Sequence, residues 1–166
     1  MIKILFICHG TICRSPMAKY VMKDLVEKAG RQDEFVIDSA ATSAEELGNP
    51  VYPPARAKLK EHGIDCSGYA ARRMRTEDYR NYDLIIGMDQ ENMYYMRRIL
   101  GDDPEGKISL LMDYTERPGE VSDPWYTRDF SGCLDVIEKC CLALLEKLSE
   151  GIFLDFTAAF DIPYLY

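Results

Sequence analysis

The chain lacks any apolar run long enough to cross a bilayer, which takes about 20 residues in a helix. Its first apolar stretch, Ile2 to Ile7, is preceded by Met1 alone and carries a single lysine. That is too short and too weakly charged for a secretory signal. Leu5-Phe6-Ile7-Cys8 faintly resembles a lipoprotein cleavage site, but a bulky Ile7 before the cysteine argues against one. There is no Cys-x2-Cys pair, which removes the usual zinc knuckle, and no other metal-ligand spacing stands out. Positive charge is also short: 20 Lys and Arg against 28 Asp and Glu give a formal net charge of −8. A nucleic-acid partner needs the opposite balance. A phosphorylated substrate does not, because one local cationic pocket suffices. The six cysteines, Cys8, Cys13, Cys66, Cys133, Cys140 and Cys141, lack the spacing of a small disulfide scaffold. These absences together lead us to expect a reduced cytoplasmic protein with no membrane segment, no metal and no cofactor.

With 166 residues, 47% of them apolar, the chain suits one domain with a full core. It contains no repeat, low-complexity tract or linker. Ile2 to Ile7 reads as a buried strand. Pro16 to Ala29 carries Met17, Tyr20, Val21, Leu25 and Val26 at helical spacing, and Gly30 stops it. Phe35 to Ser39 is a second strand, and Thr42 to Pro54 a loop rich in small residues and proline. Ala55 to His62 is a helix ending at Gly63, and Ile64 to Thr76 is irregular. Asp83 to Met88 is a third strand, after which Asp89 caps a helix to Leu100. Lys107 to Leu111 is a fourth strand, followed by a long loop through Tyr126. Cys133 to Leu148 is the last helix. Alternating strands and helices predict a parallel sheet covered on both faces, with ligands beyond the carboxyl ends of the strands.

At such an end lies Cys8-His9-Gly10-Thr11-Ile12-Cys13-Arg14-Ser15, between the first strand and a helix. A strand, a glycine-containing loop and a helix N-terminus together turn N–H groups toward an anion. Cys8 opens this loop and Arg14 closes it. A thiolate attacks phosphorus well, and a guanidinium can grip two phosphate oxygens at once. Ser15 suits the helix N-cap and Pro16 the first helical position. These residues point to a phosphatase with Cys8 as nucleophile. On the residues alone a buried cysteine at a strand end is the competing reading.

The same loop, with Pro16-Met17-Ala18, resembles the signature of the low-molecular-weight protein tyrosine phosphatases. Asp38-Ser39-Ala40, Gly48-Asn49-Pro50, Met88-Asp89 and Ser122-Asp123-Pro124-Trp125-Tyr126 extend the resemblance, in the family's order, over about residues 1 to 150. It implies one domain over 1–150, an α/β fold and a four-stranded parallel sheet of order 2-1-3-4. It implies hydrolysis of phosphotyrosine and other aryl phosphate monoesters, with a phosphotyrosine protein as substrate and phosphate or another oxyanion in the loop. Cys8 would attack as a thiolate, the reactive form of a residue that is mostly protonated when free. Ser15 would hydrogen-bond the sulfur and Arg14 would hold the phosphate.

Asp123 would be the general acid for a phenolate leaving group and later the base for water. By pattern alone Asp-Pro reads as a turn, with Asp123 bonding its own backbone. Trp125 and Tyr126 would wall the cleft, although core packing is the other reading of the only tryptophan. His9, Gly10, Thr11, Ile12 and Cys13 complete the phosphate-binding loop. Cys13 would trap an oxidised Cys8 as a disulfide, where the residues alone suggest a buried thiol.

The chain departs from the family at several points. Thr11 and Tyr69 stand where relatives commonly have asparagine and histidine, so the brace that these form with Ser39 has to be rebuilt. A hydrogen bond from Thr11 or Tyr69 to Ser39 is one route, with Gly10 absorbing part of the backbone turn. Glu45 replaces an aromatic on the wall opposite Trp125 and disfavours acidic peptides there. Three alternatives remain: an arsenate reductase, which lacks its mid-chain cysteine pair here; a phosphoarginine phosphatase, disfavoured by Ile12 in place of threonine; and a non-catalytic phospho-ligand module. Gly151 to Tyr166 is an apolar extension expected to dock on the domain or on a neighbouring molecule.

Overall fold

The computed structural model describes residues 1–151. The expected docking of the C-terminal extension lies, from residue 152 on, outside the described residues. Four strands, β1 (Ile2–Cys8), β2 (Phe35–Ala41), β3 (Leu84–Gly87) and β4 (Ile108–Leu110), form one sheet in the order β2-β1-β3-β4. All three pairings are parallel. β1 runs down the middle, and the chain leaves it first to one side and then to the other. That reversal puts a crevice at the carboxyl ends of β1 and β3.

The strand's period of two assigns its side chains to two cores. Ile4, Phe6 and Cys8 face one apolar cluster, and Leu5 and Ile7 face the other. Ile4 to Ile7 are fully buried, each contributing about 1.5–3 kcal/mol of apolar transfer. The first face is covered by α1 (Arg14–Lys28), α2 (Pro53–Glu61) and α6 (Phe130–Gly151), through Met17, Leu59, Ile137 and Leu144 among others. The second is covered by α3 (Asp78–Asn81) and α4 (Gln90–Leu100), through Tyr79, Met93 and Met96. α4 packs so tightly on β3 that a Cβ at Gly87 would meet the Met96 sulfur at 2.9 Å.

Several boundaries differ from the sequence reading. α2 starts at Pro53, because Pro53-Pro54 occupies the first helical positions, where a missing N–H costs nothing. α3 falls between the irregular stretch and the third strand, where the sequence reading places no element, and α5 (Pro124–Thr127) falls in the long loop; each is a single turn, too short for an apolar period to register. A 3-10 turn at Leu111–Tyr114 follows β4 in place of further strand. α6 begins at Phe130, ahead of the first residue of its apolar stripe, Cys133. α1 begins at Arg14, so Ser15 lies inside the first turn and is not the cap. No side chain caps this helix, and the Ser15 hydroxyl turns to the preceding loop instead. Among the described residues no helix is long and apolar enough to cross a membrane, and no cluster of His, Cys, Asp and Glu could hold a metal.

Candidate active site

The loop from Cys8 to Arg14 leaves the end of the central strand and enters α1 directly. Its carbonyls are tied to the segment after β2, with Thr42 N–H donating to Cys8 O at 3.1 Å and Ser43 N–H to His9 O at 3.1 Å. Farther along, Tyr52 N–H donates to Ile12 O at 2.9 Å. These bonds occupy loop carbonyls with other segments, the arrangement in which a loop's N–H groups are available to an anion. The cleft has a volume of about 480 Å³ and is lined by the whole loop, by Asp89, Glu91 and Asn92 of the β3–α4 corner, and by Asp123, Trp125 and Tyr126.

The Cys8 sulfur lies 3.0 Å from the Ser15 hydroxyl at the end of a buried chain of hydroxyls. Ser15 Oγ meets Thr11 Oγ1 at 2.6 Å, and Thr11 Oγ1 meets Tyr69 OH at 2.9 Å. Tyr69 OH donates to Thr11 O at 2.7 Å and meets Ser39 Oγ at 3.0 Å. The expected bridge from Tyr69 to Ser39 is therefore present. Burial pushes the Tyr69 phenol well up, against the hydrogen bonds from Ser39 and Thr11, so it is a neutral hydroxyl throughout the physiological range. Thr11, not Gly10, takes the left-handed conformation, with φ 57°. Gly10 matters for space: a Cβ there would sit 3.1 Å from Glu46 Cγ.

Arg14, only 3% exposed, is fixed from three sides. Its Nη1 donates to Asp89 Oδ2 at 2.7 Å and to Val121 O at 2.8 Å, while Nη2 lies 3.5 Å from Asp123 Oδ2. Burial works against its charge, yet the Cys8 sulfur, Asp89 and Asp123 outweigh that and hold its pKa above the ordinary arginine value. Nε has no protein partner among the described residues, and Nη2 meets only Asp123. Asp89 acts twice: Oδ1 accepts from Asn92 N–H at 2.8 Å as the cap of α4 while Oδ2 holds Arg14.

Asp123 combines both readings of the Asp-Pro pair. Oδ1 accepts from Trp125 N–H at 3.0 Å, which is the local turn, and Oδ2 faces Arg14 in the cleft. Trp125 is 46% exposed and Tyr126 81%, so neither is core. Trp125 leans on Tyr52, with ring centroids 4.9 Å apart, and Arg128 lies over both rings. On another part of the rim His9 Nε2 meets Glu45 Oε2 at 2.9 Å. Cys13 is buried; burial, followed by the charges of Cys8, Asp123 and Cys133, pushes its thiol well up despite Arg14. All six cysteines are free thiols.

The cleft thus gathers Cys8, Arg14 and Asp123 with the loop residues and the two aromatics, while Ser39 and Tyr69 sit behind it. Asp89 was legible as a helix cap and as part of the Met88-Asp89 match, but not as the partner of Arg14; Asn92, three residues on, completes its capping box. Glu46 and Glu91, both lining the cleft, and Tyr52 carried no signal, since only the fold brings them to the rim.

The family model described as low molecular weight phosphotyrosine protein phosphatase matches residues 3–152. The low molecular weight protein-tyrosine-phosphatase YfkJ of Bacillus subtilis is 36% identical over 90% of this chain and 97% of its own. Its crystal structure superposes with a TM-score of 0.87, covering 90% of this chain and 96% of that one. The human low molecular weight phosphotyrosine protein phosphatase is 36% identical over 87% of this chain and 94% of its own. A Vibrio vulnificus Wzb structure in complex with benzylphosphonate has a TM-score of 0.77 at 25% identity, over 88% of this chain and 98% of that one. With the loop, the sheet order and these matches in agreement, the chain belongs to the low molecular weight phosphotyrosine protein phosphatase family.

Proposed function

We propose that the protein hydrolyses phosphotyrosine and other aryl phosphate monoesters in two steps through a cysteinyl-phosphate. The observation that carries this reading is the meeting of the Cys8 sulfur, the Arg14 guanidinium and the Asp123 carboxyl in one cleft. The phosphate enters the loop with two equatorial oxygens on the Nε–Nη2 edge of Arg14 and the others on loop N–H groups. The Cys8 thiolate attacks phosphorus, and the P–O bond to the aryl group breaks. The leaving oxygen takes the proton of Asp123 and departs as a phenol. Asp123, now a carboxylate, takes a proton from water as that water attacks phosphorus. The P–S bond breaks, Ser15 stabilises the departing thiolate by hydrogen bond, and inorganic phosphate leaves.

The fixed donors of Arg14 favour the trigonal-bipyramidal phosphoryl group because they need no reorganisation as charge builds up. Asp89 and Val121 O hold that geometry from behind. The exposed Trp125 and Tyr126 suit an aromatic ester, and a relative that takes benzylphosphonate agrees with this. We assign Cys8, Arg14 and Asp123 as catalytic, and His9, Gly10, Thr11, Ile12, Cys13, Ser15, Trp125 and Tyr126 as substrate-binding. Ser39 and Tyr69 support the loop. Residues 1–150 form the phosphatase domain, and six free thiols fit a reducing compartment such as the cytoplasm.

The test is Cys8→Ser. Turnover of an aryl phosphate should vanish while vanadate still binds, and phosphate trapped from substrate by the unaltered enzyme should be carried on Cys8. Substantial turnover by the serine variant would refute the mechanism. Turnover of a phosphoarginine peptide in preference to a phosphotyrosine peptide would refute the substrate class.

A further inference from the structure

The cleft is charged in opposite senses at its floor and at its rim. At the floor, Arg14 and the loop N–H groups receive the phosphate. Around them the lining carries five carboxylates, Glu45, Glu46, Asp89, Glu91 and Asp123, and Arg14 is its one arginine or lysine. Three of the five are committed. Asp89 and Asp123 face Arg14, and Glu46 accepts from Asn49 Nδ2 at 2.5 Å. The other two are exposed. The Glu45 side chain is 68% exposed and is held by His9 alone. Glu91, exposed in the first turn of α4, has no hydrogen-bond or ion-pair partner among the described residues. Arg128, the cation nearest the aromatic wall, is stacked over Tyr52, Trp125 and Phe130 and does not line the cleft.

Resting on the tyrosine-phosphatase reading, we infer that Glu45 and Glu91 select phosphotyrosine segments flanked by lysine or arginine and reject those flanked by aspartate or glutamate. The phosphate dianion must approach past this acidic rim, so an acidic flank adds repulsion where a basic one cancels it. A guanidinium can also meet an exposed carboxylate edge to edge. The formal net charge of −8 acts in the same direction at longer range. Glu91 also suits a helix N-terminus electrostatically, but that role predicts no effect on the choice of peptide.

The experiment measures kcat/KM for two phosphotyrosine peptides that differ only in their flanks, two arginines on each side against two glutamates. A small aryl phosphate with no flanks serves as reference. An exposed ion pair changes affinity up to about fivefold, so two such pairs lead to a basic-to-acidic ratio of roughly tenfold at low salt. The ratio should fall toward one as the Debye length shrinks to about 3 Å near 1 M salt. Each variant is judged by its own ratio, so a change in overall rate does not matter. Glu45→Gln with Glu91→Gln should reduce the ratio, and Glu45→Lys with Glu91→Lys should invert it. Both positions are exposed, and folding of each variant is checked by its thermal transition. A ratio near one at low salt overturns the inference and leaves the phosphatase reading standing. A ratio that survives both double variants overturns the assignment to Glu45 and Glu91. Turnover of neither peptide overturns the phosphotyrosine reading and the inference with it.

Discussion

Replacing Tyr69 by phenylalanine deletes one oxygen and keeps the ring that packs edge-on against Tyr20, at 6.0 Å between centroids. The change therefore creates almost no cavity, and its cost is polar. The lost hydroxyl donates to Thr11 O at 2.7 Å and contacts Thr11 Oγ1 and Ser39 Oγ at 2.9 and 3.0 Å. Ser39 and Thr11 are buried, so water does not replace the partner. Each buried polar group left unpaired costs about 1–3 kcal/mol. Thr11 O is stranded outright, and the two hydroxyls share the second loss, for a total of roughly 2–4 kcal/mol. The backbone adds to the effect. A β-branched residue at φ 57° stores strain of about 1–3 kcal/mol, and Tyr69 is one of the groups that hold it there. Once released, residue 11 should relax and carry its N–H away from the anion. Urea denaturation at pH 7 should show the stability loss with an unchanged m value, and vanadate titration should show affinity falling about tenfold, the equivalent of one misaligned hydrogen bond. A stability change below about 0.5 kcal/mol with unaltered vanadate affinity would refute the brace. A cycle with Thr11→Asn and Tyr69→His extends the test. Asparagine tolerates the left-handed backbone and histidine supplies it with a partner, so the pair should gain more than the two single changes together; strict additivity would show the positions to be uncoupled.

Asp123→Asn should slow phenolate leaving groups by about 10²–10⁴-fold and activated leaving groups much less; equal losses across a leaving-group series would remove Asp123 from the acid role. Asp89→Asn keeps an acceptor for the cap of α4 but removes the charge facing Arg14, so helix stability should hold while kcat/KM falls by about 10²-fold through a misplaced guanidinium, and loss of stability without loss of rate would reverse the assignment. Asp38 gives a pH signature. Burial opposes its charge, but the Ser39 N–H, Lys19 and Arg72 prevail and hold its carboxyl below the ordinary value. A depressed folded-state pKa contributes stability that is complete above the unfolded value near 4 and is lost as pH falls through the folded one. Asp38→Asn should therefore be less stable than the parent at pH 7, with the gap closing in acid; a gap independent of pH would exclude the charge as its source.

The sheet was readable because β1 alternates between two buried faces and each long helix carries an apolar stripe. Elements of one turn, α3 and α5, have too few residues for any period. The loop was readable because its chemistry is local: cysteine, glycine and arginine lie within seven residues. Asp123 was ambiguous in sequence for a physical reason, since one carboxyl serves both the turn and the cleft. The rim was the least legible part. Glu46 and Tyr52 come from the loop before α2 and Glu91 from the start of α4, and nothing in their own surroundings marks them. The left-handed Thr11 follows from the asparagine that relatives carry there, but the division of labour with Gly10 was not legible, because Gly10 has no positive φ and its missing Cβ leaves room for Glu46 instead.

Val121 is held through both of its backbone groups, its N–H on Met88 O at 2.9 Å and its carbonyl on Arg14 Nη1 at 2.8 Å. Asp123 follows two residues later. The position of Asp123 is thus measured from the end of β3 and from the guanidinium itself, and not from the surface turn that precedes it. Around Gly119 there is open space. A reporter peptide or an affinity handle spliced at Pro118-Gly119 would lengthen the chain on the outer side of that clamp, leaving the spacing between Asp123 and Cys8 as it is. The molecule therefore offers a place to be labelled on the far side of a fixed backbone clamp from Asp123.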